Sequence, residues 1–288
     1  MATIRNPAEW AADQVRRAAL HVGSASRSLG GSAALAGTQR PAVRRIGLAD
    51  LRDVLAKGLD DFGAYRTDVV FLCTIYPLIG LVLARLAFDH DLVPLLFPVA
   101  SGFALLGPIA AVGLYEMSRQ RERGIQATWA DAFGMIRSPS FGAILVLGFL
   151  LLMIFLAWLG TAQLIFNLTL GPEPPASLAA FARDVFTTEA GWTMIGVGIG
   201  VGFLFALLVL ATSVVSFPML LDRDVGIGTA IVTSVRVVLQ NPLPMAFWGL
   251  IVAAGLVLGS LPLFLGLIIV MPVLGHATWH LYRKTVTL

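Results

Sequence analysis

The chain has 288 residues, of which 57% are hydrophobic and 13% are charged; its formal net charge is +3 and its mean hydropathy is +0.84. This composition excludes a water-soluble globular protein, because such proteins are about a quarter charged. The single cysteine, Cys73, also excludes an internal disulfide and a thiolate metal site.

The chain begins with a polar segment, residues 1–45, that is rich in Ala, Ser, Gly and Arg. It has no apolar stretch of signal-peptide length, so the sequence does not predict cleavage or export. We predict a disordered cytoplasmic tail, followed by a polytopic membrane domain over residues 46–288.

Residues 48–62 have the pattern of an amphipathic helix. Apolar side chains recur at helical spacing at Leu48, Leu51, Leu55, Leu59 and Phe62. Charged side chains occupy the other side, at Asp50, Arg52, Asp53, Lys57 and Asp60. We predict that this helix lies on the membrane surface or against the cytoplasmic face of the protein.

Six apolar segments follow, and each is long enough to cross the bilayer at about 20 residues per span. They cover about residues 69–88, 92–117, 141–167, 192–221, 243–260 and 262–282. The last two are separated at a turn signal, Gly259-Ser260-Leu261-Pro262. An even number of spans places both termini on one side of the membrane.

The Lys and Arg residues give the orientation of the spans. Of the 20 Lys and Arg residues, 18 lie in the N-terminal region up to Arg66, in the loops after spans two and four, or at the C-terminus. Only Arg85 and Arg183 lie on the opposite side. We therefore predict cytoplasmic termini in a bacterial-type inner membrane. The basic excess reflects this topology and not a nucleic-acid partner.

Two segments resemble each other, RERGIQATWADAFGMIRSPSFGAILVLG from Arg121 and RDVGIGTAIVTSVRVVLQNPLPMAFWGL from Arg223. In each, arginine and Gly-Ile lead into a short amphipathic segment and then into a proline that begins a new span. Both enter in the same direction, so we predict a parallel internal duplication. The expected apolar stripes of the two short helices are Trp129, Phe133 and Ile136, and Ile231, Val235 and Val238.

The sequence contains no catalytic constellation. No acid or base lies near the middle of a span, where ion pathways need one. Glu116 and Arg119 have the spacing of a local ion pair. We therefore predict no catalytic residue, no metal site and no cofactor, and we expect a protein that is not an enzyme.

The candidate cofactor-binding residues are His276 and His280, which are four positions apart and share a helix face. Such a pair could bind a metal or the edge of a haem, if another helix supplied a carboxylate. The alternative, which we favour, is an interfacial belt with Trp279 and Tyr282 at headgroup level.

The run GVGIGVG, from Gly196 to Gly202, contains two GxxxG pairs inside a predicted span. We interpret it as a surface for close helix packing, and not as a phosphate-binding loop.

Several strings resemble a known family: DLRDVLAKGLDDF, FLCTIYPLIGL, LFPVASGFALLGPIAAVGLYEMSRQRERG, ATWADAFGMIRSP and GHATWHLYR. Over residues 46–285 the chain is similar to a bacterial family of predicted integral membrane proteins of unknown function. Some members carry the label cytochrome c oxidase subunit I. The resemblance implies no catalytic residues. A haem–copper core needs more histidine ligands than the four in this chain, so the chain cannot be that catalytic subunit.

Two functions remain open. The first is a non-enzymatic scaffold or accessory subunit of a membrane complex, whose partners are the lipid bilayer and other subunits. The second is a transporter or channel for a neutral or apolar solute. A water-lined cavity between the repeats would favour transport, and a dry, fully packed bundle would favour the scaffold.

Overall fold

A computed structural model describes residues 41–89, 93–125 and 140–287. Two short strands pair antiparallel, β1 (Ala42–Val43) and β2 (Val286–Thr287). The remaining elements are helical: α1 (Leu48–Cys73), α2 (Ile75–Asp89), a 3-10 turn (Val93–Leu95), α3 (Leu96–Ala110), α4 (Val112–Glu122), α5 (Phe141–Thr169), α6 (Leu178–Thr187), α7 (Glu189–Ser213), α8 (Ser216–Asp222), α9 (Ile227–Gln240), α10 (Pro242–Ser260) and α11 (Leu267–Thr285).

The chain folds as an all-α membrane protein, and within the described ranges four helical stretches are long and apolar enough to cross a bilayer. They are Val93–Glu122, Phe141–Thr169, Glu189–Asp222 and Pro242–Ser260, and they coincide with predicted spans two to five. The first predicted span is divided between α1 and the 15-residue α2. The sixth coincides with α11, which ends in a polar last turn containing Arg283 and Lys284.

The predicted amphipathic helix is the first part of α1, which continues through a kink at Tyr65. Its buried face differs from the predicted one. Leu48 and Leu59 are exposed, whereas Val54, Gly58 and Asp61 are buried. The buried stripe differs because α1 packs antiparallel on α11. The residues that α11 covers are not the ones that the bilayer surface would cover.

Gly58 sets the distance between α1 and α11. A Cβ atom at this position would lie 2.7 Å from the backbone nitrogen of Ala277 and 2.8 Å from the carbonyl oxygen of Val273. Only glycine allows so close an approach. The pairing of these two helices therefore depends on one residue without a side chain.

Two of the candidate spans are broken near the same end. One break lies at Ala111, between α3 and α4, and the other at Val214 and Val215, between α7 and α8. Ser234 of α9 accepts a hydrogen bond from the freed Val215 N–H over 3.4 Å. Ser216 Oγ donates to the Thr212 carbonyl of α7 over 2.6 Å, and the Ala230 carbonyl of α9 lies 3.1 Å from the same hydroxyl. Side chains of α9 and α8 thus compensate for the interrupted helix, as lipid surroundings require.

The α10–α11 turn lies where the sequence predicts it, after Ser260. Leu263 and Phe264 take left-handed backbone conformations, with φ angles of 52° and 64°. The Phe264 ring packs directly against Gly80 of α2.

Asn241, at the start of α10, holds the segment that precedes α1. Its side chain accepts from the Ile46 N–H over 2.8 Å and donates to the Arg44 carbonyl over 3.2 Å. Together with the β1–β2 pairing, these bonds hold residues 41–46 in place. Residues 41–45 are part of the predicted disordered tail, so the ordered structure begins earlier than predicted. The rest of that tail, and the first predicted short helix with Trp129, Phe133 and Ile136, lie outside the described residues.

The second predicted short helix is α9, and its buried face again differs from the prediction. Ile227, Ala230 and Val237 are buried, whereas Ile231, Val235 and Val238 are half-buried and flank that face. Because α9 packs against the break between α7 and α8, its buried stripe is rotated by a fraction of a helical turn from the predicted stripe.

Candidate functional site

The ends of α4, α8 and α11 meet the first half of α1 at one end of the bundle, which we call the basic end. Its cations are Arg119, Arg121, Arg123, Arg223, Arg283 and Lys284. Each of them lies within 4.0 Å of a carboxylate. The basic end is therefore a network of ion pairs that joins four helices.

Asp61 of α1 lies at the centre of this network and is only 4% exposed. Its Oδ2 atom accepts from Ser118 Oγ over 2.6 Å and from His280 Nε2 over 2.9 Å. Its Oδ1 atom accepts from Arg121. One carboxylate thus connects α1, α4 and α11.

The hydrogen bonds hold Asp61 in its charged form. Burial acts to raise the pKa of Asp61, because it disfavours a charge. Hydrogen bonds from His280, Ser118 and Arg121 outweigh this effect and lower that pKa from 3.8 to about 2. The carboxylate is therefore ionised throughout the physiological pH range.

The two candidate histidines both join this network. His276 is fully buried, and its Nδ1 atom lies 2.8 Å from Ser118 Oγ. Because the Ser118 hydroxyl gives its only proton to Asp61, it accepts from the Nδ1–H of His276. The result is a chain of hydrogen bonds from His276 through Ser118 to the carboxylate, which His280 contacts directly.

The structure thus supplies a carboxylate to the histidine pair, but the three side chains do not converge on one point. No group of three His, Cys, Asp or Glu side chains that could hold a metal occurs among the described residues. Trp279 and Tyr282 do not face the lipid as an exposed interfacial belt would, because both side chains are buried in the protein. Trp279 donates to Glu122 over 3.2 Å and Tyr282 donates to Asp222 over 2.9 Å.

The helix ends that lead into the two similar segments contact each other at the basic end. Arg119 donates to the Leu221 carbonyl over 2.7 Å, and Arg123 lies 4.0 Å from Asp222. The predicted local ion pair between Arg119 and Glu116 is confirmed, with a distance of 2.8 Å between Nη2 and Oε2.

Lys284 adds a more exposed contact between α11 and α1. Its ammonium lies 2.6 Å from Asp53 and 2.9 Å from Asp50. These two hydrogen bonds raise the pKa of Lys284. Exposed pairs of this kind contribute little to stability.

The second feature is a cavity of about 610 Å³ between α3, α7, α10 and α11. Its lining is almost entirely apolar and includes Leu105, Val209, Met245, Trp248, Leu256 and Met271. The exposed side chains of Phe203, Leu207 and Leu250 line it as well. The cavity therefore opens sideways between α7 and α10, towards the outer apolar surface.

The few hydroxyl groups on the cavity wall have partners within the protein. Ser213 donates to the Val209 carbonyl over 2.6 Å, and Thr278 donates to the Leu274 carbonyl over 2.7 Å. The Tyr115 hydroxyl is hydrogen-bonded to Thr278. The cavity is thus an apolar space and not the water-lined passage that would favour transport of a polar solute.

Sequence reasoning missed both Asp61 and the cavity. Asp61 carries a detectable signal, because it is a charged residue in helical register with Val54 and Gly58. The cavity has no such signal, because small residues such as Gly107 and Gly249 suit tight packing as well as an open space.

Among known proteins, the chain is similar to one family. No curated protein and no solved structure matches the chain. The matching description carries no cytochrome c oxidase label. Residues 96–222, from the start of α3 to the end of α8, match the model of the family described as predicted integral membrane protein (DUF2189), whose function is unknown.

Proposed function

We propose that this chain is a non-enzymatic accessory or scaffold subunit of a complex in a bacterial inner membrane. The single observation that carries the proposal is the outward face of α7. Glu189–Asp222 is the least buried of the four candidate spans. Gly196 and Gly200 are exposed on it, and no atom of another described element lies within 4 Å of a Cβ built there.

Open glycines in a membrane helix favour close approach by a further helix, because association in lipid depends on packing and not on hydrophobic burial. Within the chain, Gly202 is already used in this way, because a Cβ built on it would lie 3.1 Å from the Trp158 ring. Gly196 and Gly200 belong to the same glycine-rich run and lie about one turn apart from each other. A transmembrane helix of another subunit is the occupant that this face fits.

The test is purification in mild detergent, followed by native electrophoresis and mass spectrometry of the proteins that travel with the chain. We expect a stoichiometric complex in the wild type and its loss in a Gly196→Leu/Gly200→Leu variant. Gly160→Leu is the matched control, because Gly160 is also exposed, on α5, with nothing near its Cβ position. A monomeric wild type, a complex of this chain alone, or an unaffected double variant would each refute the accessory role.

For the topology, we propose six spans with cytoplasmic termini. Residues 69–88 and α11 would provide the two additional crossings, which is supported by outward-facing Leu78, Val82 and Ile269, each more than half exposed. The positive-inside rule then places the basic end in the cytoplasm. A C-terminal green fluorescent protein fusion would fluoresce in this topology, whereas activity of a C-terminal alkaline phosphatase fusion would overturn it.

For the internal duplication, the positions of the helix breaks provide support. Ala111 lies 13 residues before Gly124, and Val214 lies 12 residues before Gly226. The aligned glycines differ in conformation, however. Gly124 has a φ angle of 76° and follows α4, whereas Gly226 is extended and precedes α9. The duplicated units would thus share their broken spans and differ in the connection that follows.

A second candidate function is a transporter for an apolar solute, and the cavity between the broken spans favours it. Its apolar wall would suit only a solute without charge or strong hydrogen-bonding groups. Flux of such a solute into protein-containing liposomes, lost in a variant that fills the cavity, would support this function. Equal flux with the filled variant would refute it.

A further inference from the structure

The cavity between α7 and α10 requires an occupant whose chemistry its wall defines. Water is a poor occupant, because it would need two or more polar partners and the wall offers almost none. An empty space of 610 Å³ would deprive the lining side chains of dispersion contacts on one side. A hydrocarbon satisfies both conditions.

The shape of the cavity further restricts the occupant. Its lining on α10 extends from Pro242 to Leu256, which is about 21 Å of helix at a rise of 1.5 Å per residue. Spread over this length, the volume gives a mean cross-section of about 30 Å², the width of a single chain. A methylene group is similar in size to a water molecule, at about 30 Å³, so about 20 such groups would fill the space.

The position of the opening identifies the source. Exposed Phe203 and Leu207 on α7 and Leu250 on α10 border it, so it faces the lipid and not the aqueous phase. Its lower part reaches Val238 and Pro242, at the α9–α10 junction. A lipid in the leaflet at the basic end could therefore insert a chain through this opening.

We propose that the cavity binds one hydrocarbon chain of a phospholipid from the surrounding bilayer, which enters between α7 and α10. This inference goes beyond both proposed functions, because a resident lipid requires neither solute flux nor a second subunit. It can therefore fail or succeed independently of them.

The test uses Trp248, which lines the cavity and is only 2% exposed. The protein is reconstituted in phosphatidylcholine vesicles that contain lipid brominated midway along the acyl chain, and quenching of tryptophan fluorescence is measured. If a chain fills the cavity, Trp248→Phe removes a quenched fluorophore and lowers the quenched fraction. Trp279→Phe removes a buried fluorophore outside the cavity and raises it.

Bromine atoms outside the bundle also quench at short range. The decisive comparison is therefore between the wild type and variants in which a larger side chain occupies the cavity. Gly249→Leu, the first filling variant, obstructs the narrow width of the cavity, because a Cβ there meets only Leu210 Cδ2 at 3.6 Å and the side chain has room to enter. Gly107→Leu, the second, obstructs it from the opposite wall, where a Cβ meets only Met271 Cε at 3.9 Å. Gly160→Leu, on the lipid-facing side of α5, is the control.

We expect either filling variant to reduce the quenched fluorescence intensity, measured per protein molecule, to that of Trp248→Phe, and the control to leave it unchanged. The second filling variant keeps the test decisive if the first one fails to fold. Two results would overturn the proposal: a quenched fraction that rises in Trp248→Phe, or quenching of Trp248 that persists in a folded filling variant.

Discussion

Asp61→Asn should destabilise the protein more than the removal of any other charge between Asp50 and Asp60 on α1. The wild-type carboxylate accepts hydrogen bonds from Ser118, His280 and Arg121 in a site that is almost closed to solvent. An asparagine side chain has one acceptor oxygen in place of two, and its amide group would face donors. At least one buried donor would therefore lose its partner.

The size of the effect follows from the pKa of Asp61. The decrease from 3.8 to about 2 corresponds to about 2.4 kcal/mol of preferential stabilisation of the charged form, at about 1.4 kcal/mol per pKa unit. A buried donor left without a partner costs about 1–3 kcal/mol. These two values describe the same interactions, so we expect a loss of about 2–3 kcal/mol and not their sum.

The measurement is reversible unfolding of the purified protein in mixed micelles, with Asp60→Asn as the matched control. Asp60 is the neighbouring residue and also pairs with Arg121, over 2.9 Å, but its side chain is 73% exposed. Its loss should therefore cost less than about 1 kcal/mol. Equal losses for the two variants would refute the assignment of Asp61 as the centre of the network.

The same site predicts an acid dependence of stability. Because the pKa of Asp61 is lower in the folded protein, its contribution is complete above about pH 4 and is lost as the pH falls towards 2. Asp61→Asn should lack this component of the acid loss. A variant with the same acid profile as the wild type would show that other carboxylates produce it.

Three further substitutions test neighbouring contacts. Gly58→Ala should lower the free energy of unfolding by about 1–3 kcal/mol, because its Cβ would overlap the backbone of α11. Gly63→Ala, which has open space on the same helix, should be neutral or stabilise by up to about 1 kcal/mol. Similar unfolding midpoints for the two variants would contradict this packing. Ser216→Ala should cost about 1 kcal/mol in the same assay, through loss of the hydroxyl that bonds to the Thr212 carbonyl and contacts the Ala230 carbonyl at the break between α7 and α8, and an unchanged midpoint would argue against those contacts. Lys284→Gln should lower stability less than Asp61→Asn does, and the loss should shrink in added salt; a salt-independent loss would count against a solvent-screened ion pair.

The basic end shows how far a sequence can specify a site. The spacing of His276 and His280 predicts a shared helix face, and the spacing of Glu116 and Arg119 predicts their ion pair, because both depend only on local helix geometry. Asp61 is 219 residues from His280. Only the packing of α1 on α11 brings them together, and no local pattern encodes that packing.

The helices illustrate the same limit. Predicted spans three and five agree with α5 and α10 to within two residues, because each is one uninterrupted apolar helix. The faces of α1 and α9 were predicted less well, since the periodicity of a helix allows several neighbouring stripes and the contacting element selects one. The break at Val214, by contrast, has a local signal, because Pro218 has no N–H to donate to the Val214 carbonyl four residues earlier.

The ionic network and the apolar cavity depend on each other. In lipid the hydrophobic effect gives helices no reason to associate, so packing and polar contacts must hold them together. Here the polar contacts are concentrated at the basic end, where Asp61 joins three helices, and a close backbone approach between α1 and α11 lies nearby at Gly58. Helices fixed at that end can diverge towards the middle of the bilayer without separating. The cavity at Trp248 lies on the other side of α11 from this junction, so a variant that loosens the junction, such as Asp61→Asn, should also change the quenching of Trp248 by brominated lipid. Unchanged quenching in a measurably destabilised Asp61→Asn protein would show that the cavity is held by the apolar helices alone.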